Sequence, residues 1–198
     1  TNELEKCTKM INLLNMDCMD LMAKYDDNHF DLAIVDPPYG IGESGGKNRN
    51  SKKGDYLGLK TPEYKKKYWD NSTPENEFFV ELFRVSKNQI IWGGNYFIDK
   101  LKPTSCMIVW DKKVTAKSHF ADCELAWTSF QTAVRKYTYG WIGFDYLNNP
   151  QKQKKIHPTE KPIQLYEWLL KNYAKEEDKI LDTHLGSGSI AIACHNYE

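Results

Sequence analysis

Apolar positions along this chain follow two rhythms. Leu32-Ala33-Ile34-Val35, Ile90-Ile91-Trp92 and Met107-Ile108-Val109-Trp110 are short, continuous runs, the mark of strands covered on both faces. Phe78, Phe79, Leu82 and Phe83, and later Ile163, Tyr166, Leu169, Leu170 and Tyr173, recur at helical spacing and gather on one face. The pattern predicts strands over residues 10–16, 31–35, 88–92, 106–110 and 179–182. Helices are expected over 17–25, from a Ser72-Thr73-Pro74-Glu75 start to Val85, from Pro162 onward, and over 190–195. Alternation over 123–130 and 133–139 suggests an antiparallel hairpin at a sheet edge. Strands and helices taking turns in this way predict an α/β protein with a mostly parallel sheet. The 198 residues suit one domain with a sizeable core.

Two long stretches break the pattern. Residues 41–72 are rich in Gly and Lys, and 139–156 in aromatics, Asn and Lys; irregular loops of that length are usually functional. Charge sharpens this view. Lys+Arg and Asp+Glu are equal at 27 each, but eight basic residues fall between Lys47 and Lys67. Such asymmetry allows a phosphate-binding face on a neutral protein, although a charge run alone is more often a set of solvated loops. Five scattered cysteines with no Cys-x-x-Cys spacing read as reduced thiols in a cytoplasmic protein, with no metal site. No apolar run approaches the roughly 20 residues of a membrane span.

Three motifs carry chemistry. Asp36-Pro37-Pro38-Tyr39 ends an apolar strand abruptly, because proline cannot donate to a sheet ladder. It sets a carboxylate, a backbone carbonyl and a flat ring side by side at a strand's end, where open α/β sheets bind ligands. Asp182-Thr183-His184-Leu185-Gly186-Ser187-Gly188-Ser189 joins a strand to a helix through a Gly-x-Gly loop. Read alone it is either a tight turn or a loop approached closely by a nucleotide-type cofactor. His157-Pro158-Thr159-Glu160-Lys161-Pro162 is a stiff turn before a helix, structural or functional.

In this order the three motifs resemble the amino-methyltransferases of DNA, and more closely the permuted β group of adenine-N6 methyltransferases, in which the catalytic motif precedes the cofactor motif. Asn15-Met16-Asp17-Cys18 and the core strands around Trp110 and Trp127 extend the resemblance over nearly the whole chain. It implies a Rossmann-like S-adenosylmethionine-dependent methyltransferase fold in a single catalytic domain over residues 1–198. The family continues past the cofactor-loop helix into a strand bearing an acid for the ribose. This sequence ends at Glu198, so the domain is expected to be truncated there.

The resemblance implies that Asp36 and the Pro37 carbonyl grip the two N–H groups of a flipped adenine while Tyr39 stacks on the base beside Pro38. It assigns the methyl donor to Asp17, Cys18, Asp36, His157, Thr159, Lys161, Asp182, Thr183, His184, Gly186, Ser187 and Gly188. Double-stranded DNA is expected to meet the insertions at 41–72 and 139–156 and the segment from Lys112. Lys47, Arg49, Lys52, Lys53, Lys112 and Lys113 would lie on phosphates, and Tyr139 and Trp141 would be available to stack. The same loops could equally carry a homodimer interface. An aspartate opening the motif favours adenine. Cytosine-N4 methylation, which shares the chemistry, and a silent DNA-binding remnant stand as the alternatives.

Overall fold

The computed structural model describes residues 10–45, 65–113, 121–141 and 156–197. Among these residues six strands form one sheet: β1 (Phe30–Val35), β2 (Ser86–Trp92), β3 (Met107–Asp111), β4 (Cys123–Thr128), β5 (Arg135–Thr138) and β6 (Ile180–Leu181). Their order across the sheet is β5-β3-β4-β2-β1-β6. β1 runs parallel to both β2 and β6, and β3 parallel to β5, while β4 is antiparallel to its neighbours β2 and β3. The last strand in sequence thus lies beside the first, as expected for an α/β sheet.

Helices cover both faces. On one side α3 (Ile163–Tyr173) and α4 (Ser189–Asn196) pack Leu165, Leu169, Leu170, Ile190 and Ala193 against Leu32, Ile34, Ile90, Trp92, Ile108 and Trp110. On the other, α1 (Cys18–Met22) and α2 (Asn76–Val85) pack Met22, Phe78, Phe79, Leu82 and Val85 against Ala33, Val35, Ile91 and Leu181. Neighbouring residues of β1 therefore belong to opposite cores, the alternation a strand imposes. Each fully buried aliphatic or aromatic side chain contributes roughly 1.5–3 kcal/mol. Arg84, near the end of α2, donates to the Met22 and Tyr25 carbonyls and pairs with Asp27 and Glu81, tying the two helices together. Among the described residues no helix is long and apolar enough to cross a membrane.

Three expectations are corrected. Residues 10–16 form no strand: Met10, Leu13 and Leu14 are exposed, and no described strand pairs with them. Their apolar character was the signal, but a strand needs a ladder partner as well. Strands β4 and β5 do not form a hairpin with each other. Strand β3 lies between them, pairing Asp111 with Cys123 on one side and with Thr138 on the other, so the antiparallel hairpin is β3–β4 and β5 is a parallel edge strand. Alternation reports burial and not which neighbour completes the ladder. The Ser72 cap is not used either: α2 starts at Asn76 with Glu75 at the N-cap and no side-chain cap bond.

Candidate active site

Five segments meet at one end of the sheet. Asp36 follows β1, Gly93 follows β2 and Asp182 follows β6, all at the C-terminal ends of parallel strands. Because β4 runs the other way, its first residues reach the same end: Glu124 lies opposite Trp110, and the Gly93 amide donates to the Leu125 carbonyl. Lys161 arrives from the turn before α3.

Asp36 is the hub. Its Oδ1 accepts the Tyr39 hydroxyl at 2.6 Å and its Oδ2 the Lys161 ammonium at 2.5 Å. Only 4% of the Lys161 side chain is exposed, and its Nζ also lies 3.2 Å from Glu124 Oε2 and 3.2 Å from the Tyr39 oxygen. Glu124 pairs in turn with Lys112. Asp36, Lys161, Glu124 and Lys112 thus form a row of alternating charge, the arrangement that makes buried ions tolerable. Burial opposes ionisation of Glu124, but Lys161 and Lys112 outweigh it and bring its carboxyl down to about 2. Burial likewise opposes a charged Lys161, and Asp36 and Glu124 reverse that and raise it.

The loop bearing Tyr39 is fixed from below. Asp70, 2% exposed, accepts the amides of Tyr39 (2.7 Å), Gly40 (2.9 Å) and Glu43 (2.8 Å). The Tyr39 ring stacks on Tyr96 with centroids 4.9 Å apart and planes 15° apart. Gly93 lies so close that a Cβ there would fall 2.2 Å from Tyr39 Cε1; its φ of +72° is left-handed, so glycine is required twice over. Burial and the Asp36 charge push the Tyr39 phenol well above its usual range, so it stays protonated and donates.

Beside this hub lies the Gly-x-Gly loop. Gly186 (φ +55°) and Gly188 (φ +79°) are both left-handed, and a Cβ on Gly188 would meet nothing within 4 Å, so open space lies over the loop. Gly188 is the N-cap of α4. Asp182 Oδ1 accepts the His184 amide at 2.9 Å; burial, with Asp36 adding to it, pushes the Asp182 carboxyl up to about 7. Burial drives His184 down to about 4, so its ring is neutral, edge-on to Phe78 and 2.8 Å from the Thr183 hydroxyl. Ser187 and Ser189 share a hydroxyl contact at 2.9 Å. Asp17 caps α1 through the Met19 amide (2.8 Å), and its charge is felt by His184. Cys18 is half-buried, and burial raises its thiol. His157 stacks on Trp69 at 5.7 Å with Thr159 Oγ1 3.2 Å from its Nδ1, and the Asp36 charge acts on it.

The expected site residues thus divide. Asp36, Tyr39, Lys161, Asp182 and His184 share one electrostatic environment. Lys161, assigned to the donor by resemblance, pairs with Asp36 and Glu124. Trp141 faces inward, 4% exposed, with Nε1 donating to the Glu160 carbonyl, whereas Tyr139, between Tyr137 and Trp141, stays partly exposed. Lys112 is occupied by Glu124, whereas Lys113 is exposed. Lys47, Arg49, Lys52 and Lys53 lie outside the described residues. Sequence reasoning missed Asp70, Gly93, Tyr96 and Glu124. An acid next to the apolar Leu125-Ala126-Trp127 run was the one signal pointing to Glu124.

Comparisons with known proteins place the chain in a family. A type II methyltransferase of Moraxella bovis, M2.MboI, is 24% identical over 228 aligned residues, spanning 96% of this chain and 80% of that protein. M2.DpnII, a type II methyltransferase of Streptococcus pneumoniae, is 26% identical over 219 residues, spanning 93% and 80%. The solved structure of the PvuII DNA methyltransferase (cytosine-N4-specific) shares the fold with a TM-score of 0.52 at 13% identity, covering 92% of this chain and 77% of that one. The family model for DNA methylases of the N6/N4 class matches residues 87–198. With more than half of its residues matched by that model, the chain belongs to the DNA methylase family, whose methyl donor is S-adenosylmethionine.

Proposed function

We propose that this protein methylates the N6 amine of an adenine flipped out of double-stranded DNA, as a β-group enzyme. The observation that carries the proposal is the Asp36 carboxylate at the end of β1, oriented by Tyr39 and Lys161 and electrostatically coupled to Asp182 at the start of the Gly-x-Gly loop. S-adenosylmethionine supplies a methyl group on a cationic sulfur, which keeps the bonding electron pair when the methyl leaves. The chain fits that group: the space over Gly188 is open, His184 offers a neutral ring, and the Asp182 carboxyl is poised to respond to a cation. The donor-binding set would be Asp17, Cys18, His157, Thr159, Asp182, Thr183, His184, Gly186, Ser187 and Gly188.

The adenine amine is a poor nucleophile because its lone pair is delocalised into the ring. Asp36 and the Pro37 carbonyl accept its two N–H bonds and favour a tetrahedral nitrogen with the lone pair free. As positive charge grows on that nitrogen, Asp36 stabilises it more than the ground state, which is what accelerates a reaction. A flipped base costs a few kcal/mol of unstacking, and an aromatic face at Tyr39 offsets part of it. Lys113 and the basic residues 47–67 would meet the phosphates.

Cytosine-N4 transfer uses the same clamp on a different base; the aspartate opening the motif favours adenine. The protein is incubated with tritiated donor and unmethylated DNA, and the nucleosides are then separated. Label in N6-methyladenine is the expected result, and label confined to N4-methylcytosine overturns the adenine assignment. The type II relatives suggest a place in restriction–modification, checked by protection of the labelled site from a cognate endonuclease.

A further inference from the structure

We propose that Lys161 and Glu124 are positioning residues for methyl transfer: the Lys161 ammonium holds the Asp36 carboxylate in place while no base is bound, and Glu124 takes the ammonium over when the base amine binds Asp36. The proposal rests on the methyl-transfer reading above. Both oxygens of Asp36 already hold a donor, Tyr39 at 2.6 Å and Lys161 at 2.5 Å. An incoming amine must share or displace one of them. Tyr39 is anchored through its backbone by Asp70, whereas Lys161 has a second carboxylate, Glu124, 3.2 Å away. A buried ammonium can leave one anion only toward another, because water is excluded from a side chain that is 4% exposed. Lys112 keeps Glu124 in reach from its other side and balances it when Lys161 is engaged elsewhere.

Charged and titratable groups surround Asp36 from every packed element. Tyr39 comes from its own loop, Lys161 and His157 from the turn before α3, and Tyr166 from α3 itself. Asp182 and His184 come from the loop after β6, and Glu124 from β4 with Lys112 behind it. Lys161 is the one cation among these in direct contact with Asp36. Without it three carboxyl groups would face one another across the site, and the cluster would take up a proton at higher pH. Without Glu124 the ammonium would be left wholly to Asp36.

Lys161→Met and Glu124→Gln therefore act in opposite senses. Single-turnover transfer to unmethylated DNA is measured between about pH 5.5 and 9, and thermal melting of the ligand-free protein is followed over the same range. In Lys161→Met the acidic limb of the rate profile moves up by about a unit or more, and much of the lost rate returns at alkaline pH. In Glu124→Gln the plateau rate falls about tenfold or more while the limb stays or moves down. Lys161→Met also melts lower than the wild type at alkaline pH, and that deficit narrows as the unpaired carboxylates gain protons on acidification. A purely structural role lowers both rates with unmoved limbs and a pH-independent melting deficit, and either finding overturns the proposal. If Lys161→Met fails to fold, the Glu124→Gln profile alone decides: a plateau rate equal to the wild type refutes the hand-over. A wild type that transfers no methyl while the melting deficit narrows refutes the methyl-transfer reading but leaves the charge pairing standing.

Discussion

Replacing Gly93 with alanine places a methyl group where the Tyr39 ring lies. The new Cβ would fall 2.2 Å from Cε1, 2.6 Å from Cδ1 and 2.7 Å from Cζ. The ring cannot swing aside cheaply. Its hydroxyl is bound to Asp36 and close to Lys161, its amide to Asp70, and its face to Tyr96. Two costs add: an alanine at φ +72° loses roughly 1–2 kcal/mol to backbone strain, and overpacking a filled site loses about 1–3 kcal/mol more. Gly93→Ala should therefore lose about 2–5 kcal/mol of stability, or relieve the clash by displacing Tyr39 and losing about a hundredfold in transfer rate. Gly188→Ala is the matched control. Its φ is +79° but its Cβ meets nothing within 4 Å, so only the backbone cost of roughly 1–2 kcal/mol applies. That methyl would instead fill the open space over the loop and weaken donor binding. Urea unfolding followed by tryptophan fluorescence reads the stabilities, and calorimetry with S-adenosylmethionine reads binding. Equal destabilisation by the two substitutions, with full activity in Gly93→Ala, would refute the rigid seat assigned to Tyr39.

Asp70→Ala removes the acceptor of three loop amides and should cost roughly 3 kcal/mol with a matching loss of transfer, and melting unchanged from the wild type would contradict the anchoring. The Asp182 carboxyl, raised to about 7 against about 4 in an unfolded chain, keeps a proton in the folded state across that window. The ligand-free protein should therefore lose stability as pH rises from about 4 to about 7, and Asp182→Asn should abolish that slope. For the same reason a cationic donor should bind more tightly as pH rises through about 7, releasing a proton that calorimetry in two buffers detects; no proton release would refute it. Tyr96 and Tyr39, with centroids 4.9 Å apart, leave no slot between them for a base about 3.4 Å thick. Tyr96→Ala should lower the KM for DNA if Tyr96 is displaced on base entry, and a raised KM would show that it stacks on the base instead.

Much of the α/β order and the three motifs could be read from the sequence because both are local. A strand ended by Pro37-Pro38, a helix after Pro162 and a left-handed Gly186 and Gly188 follow from backbone chemistry at those residues. What residues 10–16 would pair with, and which strand lies beside β5, did not follow, because ladder partners are chosen across the whole chain. The same holds for the site. Asp36 and Asp182 could be picked out by the motifs around them, but Glu124 and Asp70 carry no motif. Glu124 joins the site only because β4 runs antiparallel and brings its first residues to the end where β1, β2 and β6 finish. Only the resemblance made Lys161 a cofactor contact, and it became the counter-ion of Asp36 once 125 residues of separation were closed by the fold. The sequence by itself determined which groups were available for amine chemistry. Tertiary structure decided which charges face each other, since burial makes their pairing obligatory and only the packed sheet brings them within reach.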